Sequence, residues 1–324
     1  MTATSKTLNY SSFSSLPRHR ESSVPDWPSP AATHLWNWRG FDVRYRVEGE
    51  GSPLILLHGF GASLDHWRNN IPALAQHHRV YAIDLLGFGR SEKPPLNYSL
   101  ELWEGLLCDF WRAQVQQPAV WIGNSIGALL GLMVTARHGP LTRGAVLLNV
   151  AGGLNHRPEE LNAPLRWLMA TFAQAMTMPG VGQVLFNRIR QRSQIRRTLA
   201  QVYGNRAAIT DELVELLYQP SCDRGAQQVM ASILQAPAGP RVCELLPLVR
   251  RPLCVLWGEA DPWTPITAGQ IFQDAQTNPC HPEAPVSFTA IPETGHCPHD
   301  ERPEIVNAAI LKWLAQLPDP PVAS

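Results

Sequence analysis

The sequence predicts an α/β fold: a mostly parallel, eight-stranded sheet with an inserted helical cap. Three observations support this prediction. Short apolar runs such as PLILL at 53–57 alternate with helical patterns, which is typical of βαβ units. After residue 153 the alternation stops, and helical periodicity continues until a strand pattern returns at RPLCVLWG, 251–258. The length of 324 residues, with 44% hydrophobic residues, is sufficient for one large core.

Each predicted strand has the pattern that its place in the sheet requires. The first two, HLWNWRG and DVRYRVEG, alternate apolar and polar residues as half-buried strands do. The later strands are mostly apolar, as strands covered on both faces are. They span 53–57, 79–87, 119–123, 143–150, 251–258 and 286–291. Helical periodicity predicts helices at 64–74, 100–115, 126–137 and 305–317.

The same patterns divide the chain into three parts. The α/β core is predicted at 34–153 and 247–320, and the helical cap at 154–246. Within the cap, Leu165, Leu168, Phe172 and Met176 have the spacing of one helix face. Residues 1–33 are rich in Ser, Thr and Pro, which favours a disordered tail over a short organelle transit peptide.

Composition argues against several function classes. The 27 basic and 27 acidic residues cancel, so no global field attracts nucleic acid. No apolar run approaches the roughly 18 residues that cross a bilayer, so we expect a soluble protein. Six scattered cysteines without a Cys-x-x-Cys pair are typical of a reducing compartment. The run HCPHD at 296–300 contains ligand-type residues, but no distant pair completes a four-ligand set, so we expect no metal site.

The segment Gly123-Asn124-Ser125-Ile126-Gly127 carries the main chemical signal. It follows an apolar strand and precedes a helix, which is where a G-x-S-x-G turn lifts a serine hydroxyl above the sheet edge. The alternative is an ordinary strand-to-helix turn that contains Ser and Gly. The context makes Ser125 the candidate nucleophile, and a serine at this position favours acyl transfer over the chemistry of aspartate nucleophiles.

Two further residues occur where a serine nucleophile needs them. Asp261 follows the returning strand and His296 follows the last strand, which gives the order nucleophile, acid, histidine of α/β-hydrolases. His296 would accept the Ser125 proton and return it to the leaving group, while Asp261 would orient the imidazole and stabilise its cation. Each residue also has a non-catalytic interpretation when it is considered alone. Asp261 could simply form a turn with the proline that follows it, and His296 could be a solvent-exposed loop histidine.

Backbone N–H groups at two positions are the candidate oxyanion hole. Ile126 directly follows the nucleophile, and Phe60 lies in His58-Gly59-Phe60-Gly61 after the strand PLILL. We expect His58 to be a structural hydrogen-bonding residue and not a catalyst.

The cap is expected to cover the serine and to shape the substrate pocket. Its apolar content exceeds what one amphipathic face needs, and Trp167, Phe172, Met176 and Phe186 are the candidate pocket residues. An apolar groove would bind a long acyl or prenyl tail, because each buried CH₂ contributes ~0.8 kcal/mol. On the plainer interpretation, most of these side chains only pack the cap on the core.

An arginine cluster in the cap has three interpretations. It is a solvated helix face, a surface attracted to an anionic membrane, or a site for an anionic substrate. The cluster consists of Arg188, Arg190, Arg192, Arg196 and Arg197.

Beyond the general hydrolase motifs, the chain resembles a narrower family. Its segments HGFGASLDHW, RVYAIDLLGFGRSEKP, GNSIG, LLNVAGG, LFNRIR…VYGN and GHCPHDERPE are similar to those of the chlorophyll dephytylases of plants and cyanobacteria. These are α/β-hydrolases related to pheophytinase. The similarity runs from residue 35 to residue 317, and the cap segment 185–205 and the GHCP context are its more specific parts.

The resemblance implies a specific reaction. Ser125 would be the nucleophile, Asp261 the acid and His296 the base in hydrolysis of the phytyl ester of chlorophyll to chlorophyllide and phytol. The implied substrate is a hydrophobic ester, chlorophyll or pheophytin, and no cofactor is needed. The implied location is the cytoplasm of a bacterium or the cytoplasmic face of its thylakoid membranes.

Two alternatives to this reaction stay open. One is a serine C–C hydrolase of aromatic ring-cleavage products, whose small dicarboxylate substrates require a cationic pocket. The other is a non-catalytic homologue that binds a tetrapyrrole or a lipid. The complete set of Ser125, Asp261 and His296 argues against a pure binder, which does not need all three in this order.

Overall fold

One eight-stranded sheet organises the computed structural model, which describes residues 33–155, 157, 160, 162–278 and 284–318. The strand order is β1-β2-β4-β3-β5-β6-β7-β8. The strands are β1 (His34–Trp38), β2 (Phe41–Glu48), β3 (Pro53–Leu57), β4 (Arg79–Ile83), β5 (Ala119–Asn124), β6 (Thr142–Leu148), β7 (Leu253–Gly258) and β8 (Val286–Ile291). The predicted tail at 1–33 lies outside the described residues except for residue 33.

The sheet is mostly parallel, as predicted. Only β1 with β2 and β2 with β4 pair antiparallel among the strands of the described chain, and the pairs from β4 through β8 are parallel. Parallel strands bring their carboxyl ends to one edge of the sheet, which is where α/β proteins bind ligands. The loops after β3, β5, β7 and β8 therefore meet at one edge, and these loops contain the predicted site residues.

Apolar side chains cover both faces of the sheet. In β3, Leu54 and Leu56 belong to one hydrophobic cluster, whereas Ile55 and Leu57 belong to the cluster on the other face. This division follows from the two-residue period of a strand. Burial on both faces explains why the central strands read as continuous apolar runs.

Twelve α-helices surround the sheet in the described part of the chain. They are α1 (Ile71–Leu74), α2 (Leu100–Phe110), α3 (Ile126–Arg137), α4 (Ala163–Thr177), α5 (Val181–Ile189), α6 (Arg192–Val202), α7 (Asp211–Ser221), α8 (Ala226–Gln235), α9 (Val242–Leu245), α10 (Gln270–Thr277), α11 (Pro298–Glu301) and α12 (Pro303–Leu314). The helix predicted at 64–74 is wrong as a single helix: a 3₁₀ turn at Leu64–Trp67 precedes the short α1. Pro72 has no backbone N–H to continue the first turn and favours the start of a new helix.

The segment between β6 and β7, here named the cap, contains α4 to α9 and no strand among its described residues. One small hydrophobic cluster lies within it, and a second joins it to Cys297 of the core. The predicted boundaries of core and cap stay a prediction. No described helix has the length and apolar character needed to cross a membrane.

Candidate active site

Ser125 lies on a strained turn between β5 and α3. Its backbone has φ +57° and ψ −118°, a conformation that side-chain-bearing residues rarely adopt. The turn is tight because a Cβ at Gly123 would lie 2.2 Å from the Gly127 carbonyl, and a Cβ at Gly127 would lie 2.3 Å from the Leu57 carbonyl oxygen. The two glycines of the motif are therefore required by close backbone approach. Strain of this kind is typical of functional sites.

The loop after β3 passes directly beside this turn. A Cβ built on Gly59 would lie 3.4 Å from the Ser125 Cβ, so the next residue, Phe60, is a neighbour of the nucleophile. Ile126 is the first residue of α3, so its backbone N–H has no partner within the helix. The positions of Phe60 and Ile126 are consistent with an oxyanion hole, and that role stays a prediction.

Asp261 and His296 are in direct contact. His296 Nδ1 lies 2.7 Å from Asp261 Oδ2, although 35 positions separate the two residues in sequence. Burial raises the pKa of Asp261, but hydrogen bonds from His296 and Thr264 outweigh it and lower the net pKa. The carboxyl group is therefore ionised at neutral pH and holds the Nδ1–H tautomer of His296.

Asn124 connects this pair to the nucleophile. Its side-chain amide donates to the His296 carbonyl at 2.8 Å and to the Leu148 carbonyl at 3.3 Å. Asn124 immediately precedes Ser125, so one side chain fixes the histidine loop beside the serine turn. The structure thus brings Ser125, Asp261 and His296 to the same sheet edge.

Asn149 and Thr264 orient Asp261, and sequence reasoning did not identify either. The Asn149 amide donates to Asp261 Oδ2 at 2.7 Å and its Oδ1 accepts from the Gly258 N–H at 2.9 Å. Thr264 donates to the same carboxylate through its hydroxyl and, at 3.1 Å, through its N–H. A positive φ of 42° at Asn149 accompanies this role. An Asn at the end of a buried strand was the available sequence signal.

Glu301 holds the backbone on both sides of His296. Its carboxylate accepts from the Gly295 N–H at 3.0 Å and from the Cys297 N–H at 3.2 Å. It also accepts from the cap residue Asn205 at 2.9 Å. Burial raises the pKa of Glu301, while these backbone hydrogen bonds oppose the rise. The residue ties the cap to the histidine loop, a role that its place in GHCPHDERPE did not reveal.

A second buried network lies next to this loop. Asp300 forms an ion pair with Arg68 at 2.8 Å and accepts from the hydroxyl of the cap residue Tyr203 at 2.9 Å. Tyr203 in turn contacts His66 Nε2 at 2.9 Å. Burial raises the pKa of Asp300, but hydrogen bonding to His66 and the nearby Arg68 charge outweigh this effect, so the net pKa is lowered. The cap therefore contacts the core through hydrogen-bonded charges as well as apolar side chains.

The four predicted pocket residues fall into two groups. Met176 and Phe186 are buried together in the cap, in one cluster with Ala226 and Ala231. Trp167 and Phe172 are exposed on α4. The apolar content that motivated all four residues does not tell which of their side chains the cap covers. A pocket role for these residues stays a prediction.

His58 has the structural role that we expect for it. Its Nδ1 lies 2.8 Å from the Gly59 carbonyl oxygen, and its Nε2 accepts from the Leu85 N–H at 3.1 Å. Both ring nitrogens are thus engaged with backbone groups. Burial lowers the pKa of His58 to about 4, so the ring is neutral at pH 7.

Comparison with known proteins identifies the family. The model described as "Alpha/beta hydrolase family" matches residues 54–309, which is most of the chain. The chain belongs to the alpha/beta hydrolase family. The chloroplastic pheophytinase of Arabidopsis thaliana is 26% identical over 319 residues, which cover 85% of this chain and 64% of that protein. This α/β-hydrolase is therefore related to pheophytinase.

A second group of relatives of this α/β-hydrolase is named for a different activity, the hydrolysis of dienoic acids and semialdehydes. The 2-hydroxy-6-oxo-6-(2'-aminophenyl)hexa-2,4-dienoic acid hydrolase of Metapseudomonas resinovorans is 42% identical over 120 residues, which cover 36% of this chain and 41% of that enzyme. The chain thus spans less than two thirds of the length of these two relatives. A solved serine hydrolase involved in carbazole degradation superposes with a TM-score of 0.69 at 26% identity, over 88% of this chain and 98% of that one.

Proposed function

We propose that the protein is a serine hydrolase of hydrophobic carboxylic esters, with the phytyl ester of chlorophyll or pheophytin as its substrate. One observation carries the proposal: the Asp261–His296 pair, at 2.7 Å, is joined to the Ser125 turn through Asn124. The substrate class is supported by the 26% identity to pheophytinase over 85% of the chain.

The proposed reaction has two steps. Ser125 Oγ attacks the ester carbonyl while His296 takes its proton at Nε2, because Nδ1 is already bonded to Asp261. The N–H groups of Phe60 and Ile126 stabilise the tetrahedral oxyanion. Phytol leaves with the proton from His296. Water, activated by the same imidazole, then hydrolyses the acyl-enzyme and releases the macrocycle acid. No cofactor takes part.

Hydrolysis of a C–C bond next to a carbonyl is the second candidate function. It is supported by the 42% identity to the dienoic acid hydrolase. The same Ser125, His296 and Asp261 would serve, and the substrate would be a small anionic dienoate. The relatives support the two reactions equally, so the substrate has to be tested directly.

The experiment is chromatography of detergent-solubilised chlorophyll a after incubation with the purified protein, with Ser125→Ala in parallel. Formation of chlorophyllide by the wild type alone supports the proposal. Cleavage of a 2-hydroxy-6-oxo-dienoate without chlorophyllide supports the C–C hydrolase. Failure of a fluorophosphonate probe to label the wild type supports the third alternative, a homologue that only binds a tetrapyrrole or lipid.

The long apolar tail of a phytyl ester holds the substrate in a lipid bilayer, so the enzyme has to reach a membrane surface. The proposal therefore places the enzyme in the cytoplasm, with peripheral contact to the thylakoid membrane through the cap. Sedimentation of the protein with isolated thylakoids, and its release by salt, is the corresponding measurement.

A further inference from the structure

Helices α4 and α5 expose more apolar surface than the rest of the cap. Trp167 is 70% exposed, Leu168 58% and Val184 67%. Leu165, Met178 and Val181 are also large, apolar and exposed. We name these six residues the α4–α5 face. Several large exposed apolar residues grouped on one part of a protein are typical of an interaction site.

The face results from incomplete cover of α4. Leu165, Leu168, Phe172 and Met176 lie at i, i+3, i+7 and i+11, so they form one stripe along the helix. Met176, at the C-terminal end, is fully buried in the cap, whereas the other three are exposed. The stripe thus continues from the cap interior onto a free surface, and the first two turns of α4 have no buried residue.

The charged residues of α4 and α5 themselves have one sign. Residues 161–210 contain seven arginines and no Asp, Glu or Lys, although the whole chain is neutral. Arg192 and Arg196 are paired with Glu215 and Asp211 of α7. Arg166 and Arg188, which lie on α4 and α5, form no ion pair with any residue that the structure describes. Arg188 lies at i+4 and i+7 from Val184 and Val181, so it borders the exposed apolar residues directly.

We propose that the α4–α5 face binds the surface of an anionic lipid bilayer. The two helices carry exposed Trp and Leu with arginines and no Asp or Glu, which is the composition of helices that lie in a membrane interface. The apolar side chains would enter the acyl boundary, and Arg166 and Arg188 would meet lipid phosphates. This inference extends the proposed function, because an enzyme bound in this way takes esters directly from the bilayer.

Flotation of the full-length protein with vesicles tests the inference without any ester. Phosphatidylcholine–phosphatidylglycerol vesicles are compared with pure phosphatidylcholine vesicles, at low and raised salt. We expect binding to the anionic vesicles that weakens with salt. Leu168→Glu with Val184→Glu should lower the partition coefficient at least tenfold. The matched control, Leu248→Glu with Ile305→Glu, changes two residues of similar exposure outside the face and should bind like the wild type.

The charge contribution is tested separately. Arg166→Gln and Arg188→Gln should each lower partition into anionic vesicles about fivefold and leave partition into neutral vesicles unchanged. The inference is overturned if the wild type does not bind anionic vesicles, if the Leu168 and Val184 double variant binds as well as the control, or if light scattering shows that the face joins two copies of the chain. Hydrolysis of chlorophyll in detergent is measured in parallel, so a failure of the proposed reaction remains distinguishable from a failure of membrane binding.

Discussion

The side-chain amide of Asn124 donates a hydrogen bond to the backbone carbonyl of His296 at 2.8 Å, across 172 positions of sequence. Asn124 precedes the nucleophile and His296 is its proposed base. The relative position of the two groups therefore depends on one side chain in the serine turn, in addition to the packing of the strands that carry them.

Replacement of Asn124 by Ala should lower kcat about 100-fold, because a small displacement of the base relative to the serine has an effect of this order. KM should change little. The measurement is steady-state hydrolysis of a p-nitrophenyl ester. Asn307→Ala is the matched control: it removes another buried amide, one that contacts Asn70 at 2.8 Å. Both variants should lose stability, but equal kcat values in the two would contradict the positioning role of Asn124.

The sequence predicts Ser125, Asp261 and His296 as the catalytic residues, a role that stays a prediction, but it does not predict the residues that hold them in place. A serine turn is encoded locally by flanking glycines, and strand order then fixes where the acid and the histidine follow. The contacts of Asn124, Asn149 and Glu301 join loops that are distant in sequence. Hydrophobic periodicity describes neighbours within one helix or strand and does not predict contacts between distant loops. These contacts are therefore identified only in the folded structure.

The strain at Ser125 leads to a prediction on stability. A residue other than glycine at this φ and ψ costs ~1–3 kcal/mol, and glycine removes that cost but adds up to ~1 kcal/mol of chain entropy. We expect Ser125→Gly to exceed Ser125→Ala in free energy of unfolding by about 1 kcal/mol, with ester hydrolysis abolished in both. Urea denaturation provides the comparison. A lower stability of the glycine variant would show that the turn is not strained.

Asp261→Asn should reduce kcat about 10⁴-fold, the effect that loss of the acid has in other serine triads. An NH₂ group at the Oδ1 position would oppose the backbone N–H groups of Trp263 and Thr264, so the amide is expected to turn its NH₂ toward His296. There it donates to Nδ1 and favours the wrong imidazole tautomer. Asp274→Asn, on the exposed side of α10, should leave kcat unchanged. Wild-type kcat in Asp261→Asn would require another residue as the acid of the site.

Glu301 is predicted to be a positioning residue for His296. Glu301→Gln retains one acceptor for the two backbone N–H groups, whereas Glu301→Ala retains none. We expect kcat to fall about tenfold in the first and about 100-fold in the second, with KM nearly constant. The exposed neighbour Glu304→Gln is the control. A purely structural Glu301 would lower the melting temperature in both variants and leave kcat per folded molecule unchanged.

In the cap, the sequence pattern predicts the helix but not which of its apolar residues are buried. The spacing of Leu165, Phe172 and Met176 correctly predicts a helix with an apolar stripe. Whether a position on that stripe is covered depends on α5 and α8, whose side chains form one hydrophobic cluster with Met176. The same pattern therefore contains the buried Met176 and the exposed Phe172, and only the assembled structure separates them.

The lowered pKa of His58 leads to a prediction of how the free energy of unfolding depends on pH. Its pKa is about 4 in the folded protein, against an ordinary value of 6.5, because the ring is buried. Protonation would also place an N–H on Nε2, opposite the Leu85 N–H that Nε2 now accepts. Below pH 6.5 the unfolded chain binds a proton that the folded protein rejects, so the free energy of unfolding should fall as pH decreases from about 6.5 to about 4.

The part of this decrease due to His58 is about 3 kcal/mol, from the difference between its two pKa values. Urea denaturation between pH 7 and pH 4 measures it, with His58→Gln beside the wild type. The variant should be less stable at pH 7, because it loses the two backbone contacts, and its stability should fall less steeply with acid. The exposed His77→Gln should retain the wild-type slope. Parallel curves for the wild type and His58→Gln would mean that His58 is not the group responsible.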